Sequence, residues 1–398
     1  MMDIFELSFE KNKEELNLKK FEPPKKIFGT ISFIISSQYY VYEEEFLSDV
    51  LEKLELYPEL LSLTVINEKN EIKGIIIRRE LFNIITSEIS EDIFLLKKIK
   101  DFVKESNTFF VYKDIFSLIN EIKSDLSSPE IKYYIAIDEN GKPVGTFSTR
   151  DLLLYFSKIV QLDINTAYLV QRKIIPEKIN LKIKNLELSA INKMAFGIGG
   201  DFYYFKQTEN KSYFFIADIS GKGYAASLVT SLLKGIADSY DFSKGIKNFV
   251  ENLNEKLFSL FDGEKYLTGI FCEVEENTIK FIDAGHSHFY VLKKNKFYQL
   301  KINDNNLPIG ITEQYNVKEN AITLKDIEAC IFLTDGIIEQ TNYSGEEFSI
   351  TRVANLIIKN KNKSSENIIE DIFKELENYR KDFYQKDDWT LIYLKKIN

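Results

Sequence analysis

At 398 residues with a 44% apolar fraction, the chain is too long for one ordinary domain and can fill two or three real cores. A net charge of −9 gives no basic footprint for nucleic acid and disfavours anionic membrane surfaces. With two cysteines and two histidines, a disulfide framework, a thiolate cluster and imidazole-rich zinc chemistry are excluded, so a metal site here is built mainly from oxygen and favours Mg²⁺ or Mn²⁺.

Residues 1–26 are charged rather than signal-like and end at Pro23-Pro24, which reads as an extension. No apolar run reaches the ~18 residues of a membrane span, so the expected location is the cytoplasm. Two similar segments follow over 27–155. The first holds Leu63 to Asn70, then Ile72 to Leu81; the second holds Tyr134 to Gly141, then Pro143 to Leu152. In each, an apolar strand ends in a polar hairpin turn, a second strand starts at a Gly, and an amphipathic helix follows. Earlier helix-like stretches lie near Phe46 to Leu56 and Ile115 to Lys123. Self-similarity at this spacing means a duplicated unit.

The duplicated segments resemble tandem cystathionine-β-synthase (CBS) repeats, an α/β regulatory module. That resemblance implies a hydroxyl and a carboxylate that contact a nucleotide ribose, carried by Ser148 and Asp151 after Gly145. An adenine nucleotide is the implied ligand. The first repeat departs from the pattern, with Ile77 at the hydroxyl position and Glu80 at the acid position. The bland alternative is that both repeats only pack and dimerise.

From Tyr155 to Ile175 the spacing predicts one helix, stopped by Pro176, within a linker over 156–180. Ile159, Leu162, Thr166 and Leu169 recur at three and four, with Val160, Ala167 and Val170 alongside, a broad apolar stripe. This stripe and the repeats predict a homodimer.

The remaining residues, 181–398, alternate strands and helix pairs. Strands are expected at Asn185 to Leu188, Asp201 to Lys206, Ser212 to Asp218, Gly269 to Glu275, Thr278 to Ala284, His288 to Lys293, Ala329 to Thr334 and Thr390 to Lys395. Helices are expected from Ala225 to Tyr240, on to Leu260, over Ile350 to Lys359 and over Ser365 to Arg380. Many strands with two separate helix pairs fit an α+β sandwich in which helices cover two packed sheets. Cys272 and Cys330 fall in apolar runs and read as buried thiols.

Four acidic motifs punctuate this half: Gly199-Gly200-Asp201, Ala217-Asp218-Ile219-Ser220-Gly221-Lys222-Gly223, Thr334-Asp335-Gly336 and Asp387-Asp388-Trp389-Thr390. A lone Asp there is a turn former or a cap. Four, three of them abutting strand-like runs, suggest one hard-cation site assembled from distant parts of the chain.

These motifs, with Asp283-Ala284-Gly285-His286 and Leu307-Pro308-Ile309-Gly310 between them, resemble in order the SpoIIE/RsbU-type branch of the metal-dependent (type 2C) serine/threonine phosphatases. The resemblance covers about residues 180–396 and implies an αββα sandwich. By family position Asp218 bridges two ions, the Ile219 carbonyl completes one shell, Asp335 and Asp387 hold one ion, and Asp201 acts on the other. Asp388 is a ligand or its neighbour. Two ions ~3.5–4 Å apart activate water and clamp a phosphoryl group, and short carboxylates suit Mg²⁺ and Mn²⁺. The implied substrate is a phosphorylated STAS-type (anti-anti-sigma) protein. The linker Ala167…Gln171…Ile175-Pro176 also resembles the helix preceding this domain in the family.

The pattern has departures. Tyr204 stands where the family often has a second Asp, and Ser220 where eukaryotic relatives place a candidate acid. His286 is a weak candidate for the acid, and no Arg near the motifs clamps phosphate. The rival reading is a catalytically weak or inactive signalling adaptor with a nucleotide-sensing CBS module.

Overall fold

The computed structural model describes residues 17–87, 96–302 and 305–397. Most of the expected N-terminal extension, residues 1–16, lies outside the described residues. The chain divides into two compact units, 1–161 and 162–398.

In the first unit, β1 (Lys19–Lys20), β2 (Tyr39–Tyr42), β3 (Ser62–Ile66) and β4 (Ile72–Ile77) form one sheet, with α1 (Leu47–Glu55) between β2 and β3 and α2 (Arg78–Ser87) after β4. The second copy repeats this with β5 (Thr108–Phe110), α3 (Ile115–Glu121), β6 (Tyr133–Ile137), β7 (Pro143–Ser148) and α4 (Thr149–Ile174). Each copy is a β-α-β-β-α unit: β2 runs parallel to β3 and β5 to β6, and each hairpin slips register at the same place, Val65/Ile66 and Ala136/Ile137.

The glycine of each second strand is explained by an exchange between copies. A Cβ on Gly74 would lie 2.2 Å from the Lys104 carbonyl oxygen, and one on Gly145 would lie 2.5 Å from that of Ser37. The chain entering each repeat therefore crosses the last strand of the other, through the bridges Ile75↔Lys104 and Ser37↔Thr146. Backbone this close, at φ of +146° and +154°, admits only glycine.

Two sequence expectations change here. Residues 17–26 are not a bare extension: Leu18 is buried, and Lys19–Lys20 pairs with Tyr39 and Tyr40. Backbone pairing of this kind leaves no trace in a charged sequence. The helix expected from Tyr155 starts at Thr149 instead, continuous with the second repeat's own helix. No Gly or Pro falls between Thr149 and Ile174 to separate them.

The second unit is an α+β sandwich of two antiparallel sheets. The six-stranded sheet contains β8 (Lys178–Ile183), β9 (Leu186–Lys193), β14 (Phe289–Lys293), β15 (Lys296–Gln299), β17 (Ala329–Leu333) and β18 (Trp389–Lys396), in the order β15-β14-β17-β18-β9-β8. The five-stranded sheet orders β10 (Asp201–Gln207), β11 (Ser212–Ile219), β12 (Leu267–Glu275), β13 (Thr278–Ala284) and β16 (Asn320–Thr323). Phe214 meets Phe332 edge-on across the sheets, with ring centroids 5.2 Å apart.

Helices cover both outer faces. On the five-stranded sheet, α5 (Tyr224–Ser239) and α6 (Ile246–Phe261) bury Leu233 and Phe249 in the core that holds Phe215 and Phe271. A one-turn α7 (Asp335–Ile338) follows β17. On the six-stranded sheet, α8 (Ser349–Asn360) and α9 (Ser365–Arg380) pack Val353, Ile357, Ile369 and Ile372 around Trp389. Each such side chain fully buried contributes roughly 1.5–3 kcal/mol. The strand β8 went unread although Lys178–Ile183 alternates polar and apolar residues strictly, because the expected linker runs into it, to residue 180. Cys272 and Cys330 are buried as expected.

Candidate metal centre

The acidic motifs meet at one end of the sandwich. Register places Asp201, at the start of β10, directly opposite Asp218, near the end of β11. In the other sheet, β17 ends at Leu333 and β18 begins at Trp389, so Thr334-Asp335 and Asp387-Asp388 lie side by side, with Thr334 N donating to Thr390 O at 3.0 Å. A cleft of about 380 Å³ opens there, lined by Asp218, Ile219, Ser220, Gly221, Lys222, Tyr266, Thr268, Gly285, His286, His288, Asp335 and Asp387.

The motif glycines are set by the carboxylates beside them. A Cβ on Gly199 would lie 2.0 Å from Asp388 Oδ2, and one on Gly336 would lie 2.2 Å from the Asp388 carbonyl oxygen. Only glycine lets the four loops close on one another.

The five candidate carboxylates occupy two layers. Asp218, Asp335 and Asp387 face the cleft, with Ile219 also among its lining residues. Asp388 turns inward: its oxygens accept from Ala195 N at 2.8 Å, Gly200 N at 2.8 Å and Asp201 N at 3.2 Å. Asp201 is sealed behind, its Oδ2 accepting from Thr334 Oγ1 at 2.7 Å and Thr390 Oγ1 at 2.5 Å. Neither Asp201 nor Asp388 lines the cleft.

Crowded acids raise one another's pKa. Burial and then the charges of Asp335, Asp387 and Asp388 push Asp218 up to about 7, with Lys222 opposing. Burial, Asp218 and Asp388 raise Asp201 well above the carboxylate range. Burial raises Asp388 too, against its backbone donors. Like charges held this close favour a bound proton or a bound cation.

Among the described residues no three His, Cys, Asp or Glu side chains are grouped so that they could hold a metal ion by themselves. An open oxygen-lined cleft fits Mg²⁺ or Mn²⁺, since Mg²⁺ retains several waters and takes one or two carboxylates directly. It does not suit Zn²⁺: His286 is spent on structure. Its Nε2–H donates to the Leu333 carbonyl at 3.0 Å, so its Nδ1 accepts from Thr268 Oγ1 at 3.1 Å. Burial, with His288 beside it, lowers its pKa to about 3. It stays a neutral spacer rather than an acid.

Tyr204 lies on the opposite face of β10 from Asp201, by strand alternation. Its hydroxyl reaches Ala237 O at 3.3 Å and Asp238 Oδ1 at 3.1 Å, and its ring stacks on Phe215 at 5.0 Å. The residue that replaces the family's second Asp therefore braces α5 against the sheet.

Two features escaped the sequence, and a third, Gln171, was marked there only as part of the linker resemblance. His288 lines the cleft, half-buried, with Nδ1 3.2 Å from the Tyr290 hydroxyl; its signal was only a position two residues beyond His286. The Thr334 and Thr390 hydroxyls hold Asp201, a role their motifs did not reveal. Gln171, on α4, is buried: its Nε2 donates to Gly199 O at 2.7 Å and Thr230 Oγ1 at 2.9 Å, and its Oε1 accepts from Gly199 N at 3.0 Å. It ties α4 to the glycine turn before Asp201 and to α5.

In the first unit, Ser148 and Asp151 do come together. Asp151 Oδ2 accepts from Ser148 N at 2.8 Å, Ser148 Oγ at 2.6 Å and Ser36 Oγ at 2.9 Å.

The chain is similar to known proteins. Residues 208–396 match the family described as Stage II sporulation protein E (SpoIIE). Phosphoserine phosphatase RsbU of Bacillus subtilis (strain 168) is 26% identical over 243 residues, which is 60% of this chain and 71% of that protein. In fold, the SiaA-PP2C domain of Pseudomonas aeruginosa superposes with a TM-score of 0.51 at 17% identity, over 61% of this chain and 98% of that one.

Proposed function

We propose that this chain, which carries a SpoIIE-type phosphatase domain in its second unit, is a metal-dependent serine/threonine phosphatase that acts on a phosphoprotein in the cytoplasm. The observation that carries this is the convergence of Asp218, Asp335 and Asp387 on one cleft. Bound there, two Mg²⁺ or Mn²⁺ ions would supply an activated water and neutralise phosphoryl oxygens.

The chain's own residues divide the work. Asp218, Asp335, Asp387 and the Ile219 carbonyl would hold the ions. Asp201 sits opposite Asp218 in register and backs it, itself fixed by two threonine hydroxyls. Asp388 draws the glycine turn and the strand end together. His286 keeps the β17 end in place.

The substrate we favour is a phosphorylated STAS-type protein, the substrate class that the sequence resemblance implies; a relative named a phosphoserine phosphatase supports the reaction type. The two β-α-β-β-α copies support reading the first unit as a CBS pair that takes an adenine nucleotide near Ser148 and Asp151 and controls turnover. Exposed Leu162, Leu169 and Val170 on α4 support a homodimer. No described helix is long and apolar enough to cross a membrane.

The test is hydrolysis of a phosphorylated STAS protein in Mn²⁺, with and without adenine nucleotides, using Asp218→Asn as control. Turnover lost in the variant is the expected result. Binding without turnover would favour the adaptor reading, and turnover surviving the substitution would remove the centre from the mechanism.

A further inference from the structure

One ammonium group faces the acidic end of the second unit. Lys222 stands in the turn between β11 and α5, flanked by Gly221 at φ +96° and Gly223 at φ +71°. Both glycines hold backbone that other residues adopt only under strain, so they shape the turn and Lys222 does not. Its side chain is 58% exposed, and its Nζ lies 2.5 Å from Asp387 Oδ2 and donates to Lys386 O at 3.2 Å. Among the residues lining the cleft, Lys222 is the sole Lys or Arg.

Arg172 holds Asn192 and Arg380 pairs with Glu377, while Lys265 is held on the backbone of the same turn, donating to Ser220 O at 3.3 Å. Formal charge makes this matter. Two divalent ions do not neutralise the five carboxylates gathered here, and a phosphoseryl group arrives carrying up to two further negative charges. A centre that binds such a substrate without arginine needs another positive group. Lysine suits a part that must move, as a compact charge on a flexible four-carbon stem. An ammonium 2.5 Å from Asp387 Oδ2 and a divalent cation on the same carboxylate repel one another as like charges, so each weakens the other's hold.

We infer that Lys222 is an exchangeable counter-ion of this centre: its ammonium competes with a divalent cation for Asp387 and, once displaced, holds the phosphoryl oxygens of the substrate. The inference rests on the phosphatase reading. It supplies the phosphate-binding cation that the sequence lacked as an arginine. It also makes substrate binding follow metal loading, since the same ammonium serves both carboxylate and phosphate.

The test measures Mn²⁺ binding by calorimetry on the full chain, then steady-state hydrolysis of a phosphoserine peptide, for the native chain, Lys222→Met and Lys222→Arg. Lys222→Met is expected to bind Mn²⁺ about tenfold more tightly and to raise KM about tenfold with kcat within about twofold, the scale of one charge-assisted contact. Lys222→Arg is expected to keep KM nearer the native value. Mn²⁺ binding that is unchanged or weaker in Lys222→Met overturns the inference, and so does an unchanged KM. The calorimetric arm needs no turnover. A native chain that fails to hydrolyse would therefore sink the phosphatase reading, while the competition for Asp387 is still decided by the metal titration.

Discussion

Asp151 in the first unit and Asp218 in the second both belong to acidic motifs at a strand end, and they are held in opposite ways. Asp151 is met by three protein donors, two from Ser148 and one from Ser36. Asp218 faces the cleft among other carboxylates, which push its pKa up to about 7. The second unit repeats the contrast within itself. Asp388 is satisfied by three backbone N–H groups, whereas Asp335 and Asp387 open onto the cleft. A carboxylate whose lone pairs are filled by the protein organises backbone; one left facing its own kind awaits a cation.

This contrast can be broken by substitution. Asp388→Ala strands three N–H groups, two of them buried, and should cost about 3 kcal/mol of stability, read as a lower urea midpoint. Asp335→Asn should do the reverse. It relieves like-charge repulsion, so stability holds or rises, while Mn²⁺-dependent hydrolysis falls roughly a hundredfold or more. If both variants lost stability alike, the division into organising and facing carboxylates would be wrong.

The spacer role of His286 gives a pH signature. Its folded pKa of about 3 lies below the ordinary 6.5, so between these values the unfolded chain binds more protons. Its contribution is full above pH 6.5 and is lost as pH falls toward 3. Relative to His286→Gln, the native chain should lose up to about 1.4 kcal/mol per pH unit in that window, measured as the difference in urea-unfolding slope with pH. A catalytic His286 would instead change the pH profile of kcat and leave the stability slopes parallel.

Smaller effects sharpen the comparison further. Asp151→Ala should lower the stability of the first unit by about 1 kcal/mol, the scale of a lost helix cap. Tyr204→Phe removes one hydroxyl bonded to Asp238 and should cost about 1 kcal/mol or less with Mn²⁺ stoichiometry unchanged.

Much of this was legible in the sequence because the relevant signals are local. The helix Ser365–Arg380 has its expected bounds, with Ser364 accepting from Asn367 N as its cap. The duplicated glycines marked a repeat, and the acidic motifs marked one end of one sandwich. Orientation was not legible. Whether Asp388 faces metal or backbone depends on Gly200, whose amide meets it from 188 residues away. The reason for Gly336 lies in a carbonyl of the other acidic loop. The run of α4 back to Thr149 was legible, since no Gly or Pro interrupts residues 149–174, but the end of the repeat motif at Leu152 was read as a boundary.

The central claim is that Asp218, Asp335 and Asp387 form one cation site. Calorimetric titration of the full chain with Mn²⁺, beside Asp218→Asn, tests it most directly. The account predicts two Mn²⁺ ions per chain and binding that collapses in Asp218→Asn with the fold intact. Mn²⁺ binding that persists unchanged in the variant, or is absent from the folded native chain, would contradict it.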